Sequence, residues 1–204
     1  MRFLVALFVL INIHAFSQTD DASLTEIKKF QDELNEDYKN KETSPLDAKS
    51  RKHFKEHTFF KVDLKYRVTA TLRVSEPEPF FQMKTSSLAT RQYRVYGILE
   101  FTLEDRKFKI PVYQSQQLMK TKGFEDHLFF PFTDLTSGEQ SYGGGRYIDL
   151  HIPKEGNIIV IDFNQAYNPY CAYKTKVQYS CPIVPAENNL DIKILAGVAY
   201  TPKK

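Results

Sequence analysis

The sequence predicts a mainly β fold, an antiparallel sandwich or partly open barrel with one or two N-terminal helices. Two observations carry this prediction. The spacing of apolar residues changes from a helical period to strict alternation after His57. Seven or eight short alternating segments then follow, joined by turns and without the alternation of strands and helices that a parallel sheet needs. With 204 residues, 42% hydrophobic and 26% charged, the chain is typical of one globular domain.

The first seventeen residues have the pattern of a secretory signal peptide. Met1-Arg2 gives a positive start, residues 3–11 are all apolar, and Ala15-Phe16-Ser17 places small residues at the spacing that signal peptidase prefers. The alternatives are a buried N-terminal helix and a membrane anchor, but an anchor needs about 18 apolar residues. The sequence therefore predicts a signal peptide over residues 1–17 and an exported protein, periplasmic or extracellular. No integral membrane segment is expected after cleavage.

Residues 18–204 are expected to form a single domain that begins with a helical lead over 24–57. Leu24, Ile27, Leu34 and Tyr38 recur every three or four positions, which predicts a helix over about 24–40. Its start is assigned to a capping box over residues 23–26. A second helical piece is expected to open at Ser44-Pro45-Leu46, because proline is tolerated in a first helical turn, and to end near residue 57.

The β core is predicted over residues 58–200. Two long alternating strands cover 66–74 and 93–103, and a tight connection at 104–107 leads into a third strand over 108–112. Pro111 cannot donate to a ladder, which predicts an edge or a bulge there. Shorter strands are expected around 127–133, 146–152, 157–163 and 190–199.

The charge balance argues against one class of partner. There are 28 Lys and Arg against 25 Asp and Glu, a formal net charge of +3. Nucleic-acid binding requires basic residues in excess on one surface, so no nucleic-acid partner is expected.

Polar residues that strands do not require concentrate in residues 129–189. Three glycines at 143–145 precede Arg146, where exposed amides beside a guanidinium would suit a carboxylate or phosphate. The alternative is a structural turn in which Arg146 pairs with Asp149 or Asp162. No phosphate-binding loop or dinucleotide fingerprint is present, so nucleotide binding is not supported.

A second group of polar residues follows the strand that ends at Asp162. Polar side chains on a loop that the fold holds rigidly can form a binding site. The alternative is that the side-chain amides of Asn164 and Asn168 form Asx turns with neighbouring backbone groups. Together with the glycine turn it gives the candidate ligand-binding residues: Tyr142, Gly144, Arg146, Asp162, Asn164, Tyr167 and Asn168. No cofactor is implied.

Acid–base candidates are few. Asp149 and His151 share one face of a predicted strand, and with Asp162 they are the candidate catalytic residues. His53 and His57 stand four apart, but they lack the glutamate of a zinc-protease helix, so no metal site is predicted.

Cys171 and Cys181 are the only cysteines. In an exported chain a close pair favours a disulfide. The alternatives are a redox pair or half of a metal site, although the spacing is not C-x-x-C and no second Cys/His group completes a zinc set.

Several longer motifs resemble those of a bacterial and archaeal family known as domain of unknown function 1684. They are Phe130-Pro131-Phe132-Thr133-Asp134, Tyr142-Gly143-Gly144-Gly145-Arg146-Tyr147, Asp162-Phe163-Asn164-Gln165-Ala166-Tyr167-Asn168-Pro169, Cys181-Pro182 and Glu187-Asn188-Asn189-Leu190. The resemblance covers nearly all of residues 18–204 and implies a mostly β domain without an established activity. This chain has Tyr170 where the usual member has a second proline, and a longer segment between its cysteines.

Three functions fit the sequence. The first is a β domain that binds a small polar or anionic ligand beside an aromatic lining. The second is a hydrolase-like enzyme that uses Asp149 or Asp162 with His151 as an acid–base pair. The third is a non-catalytic envelope interaction domain with an aromatic surface for a protein partner.

Overall fold

A computed structural model describes residues 5–200, with side chains from residue 20 onward. Two helices come first, α1 (Val5–Lys39) and α2 (Ala48–His53). Eight strands follow: β1 (Arg67–Val74), β2 (Phe81–Lys84), β3 (Thr90–Leu103), β4 (Arg106–Ser115), β5 (His127–Asp134), β6 (Arg146–His151), β7 (Ile158–Asp162) and β8 (Asn189–Leu190).

The strands form one sheet that curls into a nearly closed barrel. Its order is β6-β5-β4-β3-β1-β7, with β2 added on β3 and β8 on β5. All pairs are antiparallel except β5–β8, and the outermost strands β6 and β7 also contact one another. The predicted mainly β class and antiparallel arrangement are confirmed.

The barrel interior is filled by alternate side chains of the strands. Leu99, Phe130, Phe132, Ile161 and Phe163 are all fully buried there. Full burial of such side chains stabilises the fold by about 1.5–3 kcal/mol each. The interior therefore supplies most of the energy that holds the barrel together.

The β3–β4 hairpin has the tight connection that the sequence predicts. Glu104 and Asp105 form its turn with φ of 46° and 63°, the mirror-image geometry that matches the twist of paired strands. Pro111 lies two residues before Tyr113, the one β4 residue in register with β5. The Asn188 Nδ2 donates to the Pro111 carbonyl at 3.0 Å. β4 is thus an inner strand, and its proline lies where the ladder to β5 is interrupted.

Helix α1 begins well before the predicted start. It runs from Val5, so the predicted signal peptide falls on its first part and on residues 1–4, which lie outside the described residues. Ser23 is inside the helix, and the predicted capping box is wrong. The Glu26 carboxylate instead accepts from Arg67 of β1 at 2.8 Å, which joins α1 to the barrel. Over residues 5–200 we find no helix whose length and apolar character would let it span a membrane.

The second helix starts later than predicted. Asp47 is its N-cap, and the Asp47 Oδ1 accepts from the Ser50 amide at 2.7 Å. Residues 44–46, predicted as the first helical turn, are not helical, and Leu46 forms a β-bridge with Thr175. A side-chain cap thus sets the start of α2, and Pro45 precedes it.

The predicted strand over 190–199 is wrong beyond Leu190. Ile192, Ile194 and Ala196 are buried in the barrel core at alternating positions, as a strand would place them. The backbone there bonds to side chains, because Asp134 accepts from the Ile194 amide at 3.2 Å and Arg146 donates to the carbonyls of Ile194 and Ala196. Residues 191–196 therefore show the alternating burial of a strand without the hydrogen-bond ladder of one.

Candidate functional site

The outer face of the sheet carries a second apolar cluster. Every residue of β5 from His127 to Phe132 is buried, so both faces of this strand are covered. Leu128, Phe130 and Phe132 point to the barrel interior. Phe129 packs on the other face, in a cluster completed by Met83, Tyr93, Tyr113 and Tyr147.

The cover of this outer face is the segment over residues 163–188. Tyr147 and Tyr167 exchange two backbone hydrogen bonds at 2.9 and 3.0 Å. The Tyr147 hydroxyl donates to the Pro182 carbonyl. Cys171 and Cys181 form a disulfide, as the sequence predicts, which closes the loop between these two anchor points. The cover is thus fixed to the sheet at both ends of the loop.

A cleft of about 490 Å³ lies between the outer cluster and its cover. We call it the tyrosine cleft, because its walls are largely phenol rings. Its tyrosines are Tyr93, Tyr147, Tyr167, Tyr170 and Tyr179. The ionisable side chains besides these are Arg91, His127 and Asp149.

Asp149 is held in one orientation on the wall of the cleft. The Asp149 Oδ1 accepts from the His127 Nε2 at 2.9 Å, and the Asp149 Oδ2 accepts from the Tyr167 hydroxyl at 2.9 Å. The carboxylate remains 47% exposed. Burial raises the pKa of Tyr167 and the adjacent Asp149 carboxylate raises it further, so the phenol stays a donor.

The imidazole of His127 is turned away from the open space. A hydrogen bond to a carboxylate requires a proton on Nε2. Nδ1 is buried and has no hydrogen-bond partner among the described residues. His127 thus positions Asp149 and exposes no free nitrogen to the cleft.

The candidate acid–base residues do not meet as the sequence suggested. Asp149 bonds to His127, whereas the His151 Nδ1 lies 3.1 Å from Asp126. Asp162 bonds to Arg67 at 2.8 Å, at the far edge of the sheet order. No hydrogen bond between His151 and Asp149 or Asp162 occurs among the side chains of residues 20–200.

Arg146 lies in the interior of the barrel. Its side chain and that of Asp134 are 1% and 0% exposed, and their charged groups are 2.6 Å apart. Burial lowers the pKa of Arg146 and the Asp134 carboxylate raises it. Neither of the two partners considered for Arg146, Asp149 and Asp162, contacts it in the described structure. The correct partner stands twelve residues earlier.

Asp162 and Asn164 support the backbone. The Asp162 Oδ1 accepts from the Asn164 amide at 2.9 Å, which is an Asx turn. The Asn164 side chain bonds to both the amide and the carbonyl of Asp63, at 3.1 and 3.0 Å. Both residues are buried, and the Asx turn here is closed by the Asp162 carboxylate, whereas the Asn164 amide binds a segment distant in sequence.

The remaining candidates lie around the cover rather than on the cleft wall. The Asn168 Nδ2 donates to the Tyr173 hydroxyl at 3.2 Å and is buried. Tyr142 packs edge to face on Tyr200 with ring centroids 5.4 Å apart. Gly144 is exposed on the turn. Of the candidate residues, only Tyr167 and Asp149 line the tyrosine cleft.

The cleft contains residues that the sequence analysis missed, His127, Tyr93, Phe129 and Tyr179 among them. One feature of the sequence could have identified two of them, His127 and Phe129. Residues 127–132 are apolar or aromatic at every position except a terminal histidine, and a strand without alternation is covered on both faces. Across the described side chains there is no group of three or more His, Cys, Asp or Glu suited to a metal ion.

One of the comparisons with known proteins identifies a family. A family model described as a protein of unknown function, DUF1684, matches residues 52–199. The solution NMR structure of an uncharacterized protein from Haloarcula marismortui is 31% identical, with a TM-score of 0.68. The similarity covers 90% of this chain and 97% of that chain. No curated protein matches the sequence.

Proposed function

The chain belongs to the DUF1684 family of proteins of unknown function, and from that premise we propose that it is an exported protein that binds a small polar ligand in the tyrosine cleft. The observation that carries the proposal is the Asp149 carboxylate, half-exposed on a cleft wall of phenol rings and fixed by His127 and Tyr167.

Such a wall has the composition of a small-molecule site. Ligand sites are concave and mostly aromatic or apolar, with a few polar groups in fixed positions. The volume of about 490 Å³ lies within the usual range of such sites. Tyrosine has few rotatable bonds, so it contacts a ligand with a small loss of conformational entropy.

The same geometry supports binding over acid–base catalysis. In an Asp–His pair the nitrogen that does not contact the carboxylate must reach the substrate. That nitrogen, the His127 Nδ1, is buried. Of the two residues, Asp149 is the accessible one. An accessible carboxylate in a fixed orientation is suited to binding a ligand.

Export is proposed on two features. The pattern of residues 1–17 is that of a signal peptide, and the Cys171–Cys181 disulfide fits an oxidising compartment. N-terminal sequencing of the protein from the native host tests this. We expect Gln18 as the first residue, and recovery of the chain starting at Met1 from the cytoplasm would refute export.

Ligand binding is tested by thermal shift with a panel of small ammonium compounds, carboxylates, phosphates and neutral sugars. Leu118 is half-buried on the cleft wall, and Leu118→Trp places a larger side chain there. Leu135 is 48% exposed and does not line the cleft, so Leu135→Trp is the matched control. We expect at least one class to raise the melting temperature of the wild type and of Leu135→Trp, and to act weakly on Leu118→Trp.

Two results would reject binding in this cleft. One is a wild type that no member of the panel stabilises and that carries no small molecule in native mass spectrometry. That result would favour the envelope interaction domain. The other is a ligand whose effect is equal in Leu118→Trp and Leu135→Trp, because it would then bind elsewhere.

A further inference from the structure

A second cavity lies beside α1 and has part of its wall in common with the tyrosine cleft. This cavity of about 390 Å³ lies between the helix and the cover, and it shares Asp149, Tyr167 and Tyr170 with the tyrosine cleft. Its helix side carries Glu33 and Asp37. Asp149 therefore belongs to the wall of both cavities.

The charge of the lining differs between the two cavities. Arg91 lines the tyrosine cleft and a different surface pocket, but not the cavity beside the helix. Burial raises the pKa of Tyr93, Arg91 lowers it and Asp149 raises it, so charges of both signs act on that phenol. Toward the helix the charged side chains of the lining are all carboxylates.

Tyr170 lines both cavities together with Asp149. Burial raises the pKa of Tyr170, and the neighbouring Tyr179, Asp37 and Asp149 raise it further. Two carboxylates on different elements thus act on one phenol. Asp37 has no hydrogen bond or ion pair to its carboxylate among the described residues, so its charge is uncompensated nearby.

We propose that the ligand is a linear aliphatic diamine, with one ammonium group at Asp149 and the other at Asp37, and with its methylene chain against Tyr167 and Tyr170. This inference rests on the proposed function, because it names the ligand class of the same cleft.

The chemistry of the walls matches each part of such a ligand. Ammonium groups pair with carboxylates and are attracted to the faces of aromatic rings. Methylene groups gain free energy from burial against apolar surface. A dianion of the same length would place its second charge beside Glu33 and Asp37, where like charges repel.

Three four-carbon probes separate the possibilities in isothermal titration calorimetry: 1,4-diaminobutane, butylamine and succinate. We expect 1,4-diaminobutane to bind the wild type about tenfold more tightly than butylamine, and succinate to bind more weakly than either. Asp149→Asn should weaken 1,4-diaminobutane at least about tenfold, which corresponds to one ion pair in a partly buried site. Asp37→Asn should weaken the diamine and leave butylamine unchanged.

The control is Asp126→Asn. Asp126 also forms an aspartate–histidine pair, with His151, but does not line the cleft. Its replacement should leave the affinity for 1,4-diaminobutane unchanged, and the melting temperature of each variant verifies folding.

The outcomes separate this inference from the proposed function. Tighter binding of succinate than of 1,4-diaminobutane, or equal affinity of the wild type and Asp149→Asn for the diamine, overturns the diamine. Ligand binding in the cleft then survives if another compound of the thermal-shift panel discriminates Leu118→Trp from Leu135→Trp. If no compound binds, both proposals fail.

Discussion

Arg146 and Asp134 form a buried ion pair in the barrel interior, with their charged groups 2.6 Å apart and their side chains 1% and 0% exposed. The guanidinium also donates to two backbone carbonyls of the 191–199 segment, and Asp134 accepts from the amide of Ile194. The pair thus satisfies backbone groups that a strand ladder would otherwise satisfy.

Removing Arg146 should therefore destabilise the fold strongly. Arg146→Ala leaves Asp134 buried without its counter-charge, and loss of one partner of such a pair costs about 3–5 kcal/mol. Urea denaturation measures the free energy of unfolding. The control is Arg106→Ala, because Arg106 forms an exposed pair with Asp191 at 3.4 Å and such pairs contribute about 0–1 kcal/mol. Equal effects of the two replacements would contradict a structural role for Arg146.

The glycine turn offers a second test, because its members differ. Gly145 has φ of +87°, and a Cβ there would lie 2.6 Å from the Phe132 carbonyl oxygen and 2.5 Å from Val184. Gly145→Ala should cost roughly 2–5 kcal/mol through backbone strain and overlap. Gly143 is exposed and a Cβ would meet nothing closer than 3.5 Å. Gly143→Ala should change the unfolding free energy by less than about 1 kcal/mol. Reversed magnitudes would show that the turn rearranges.

The sequence predicts the long strands better than it predicts the site, for a physical reason. Alternation reports which side chains are buried, and in β1 and β3 burial coincides with ladder pairing. In residues 191–196 burial alternates as well, but the backbone bonds to side chains and to scattered backbone groups rather than to one neighbouring strand, and alternation cannot reveal that. Pairs such as His127–Asp149 depend on the register of β5 against β6, which the sequence does not specify. The one sequence feature that pointed to the cleft is in β5, whose continuous apolar residues indicate a strand covered on both faces.

His57 should make the stability of the protein depend on pH. The ring is buried among Tyr38, Phe54 and Tyr173, and its Nδ1 is 3.0 Å from the Asn35 Oδ1. Burial lowers the pKa of His57 to about 4. In the unfolded chain a histidine titrates near 6.5, so the unfolded state binds the proton first. Stability should fall as pH drops from about 6.5 to about 4, by up to about 3 kcal/mol.

Urea denaturation at several pH values across this window measures the effect. His57→Gln removes the titrating group and should flatten that part of the dependence. His53 is exposed on α2, four residues earlier, so His53→Gln is the matched control and should retain the dependence. An unchanged pH dependence in His57→Gln would assign the loss of stability to other groups.

The disulfide should contribute both to stability and to the shape of the tyrosine cleft. Cys171 and Cys181 are ten residues apart, and closing a loop of that length stabilises the fold by about 2.5–3 kcal/mol in the chain-entropy account. Tyr170 and Tyr179 flank the bridge, pack with ring centroids 4.7 Å apart and line the cleft. We expect dithiothreitol to lower the unfolding free energy of the wild type by this amount and to weaken the binding of any cleft ligand. The double replacement Cys171→Ser with Cys181→Ser should show both losses without the reductant and no further change with it. If dithiothreitol weakens the double variant as much as the wild type, the reductant acts on something other than this bridge.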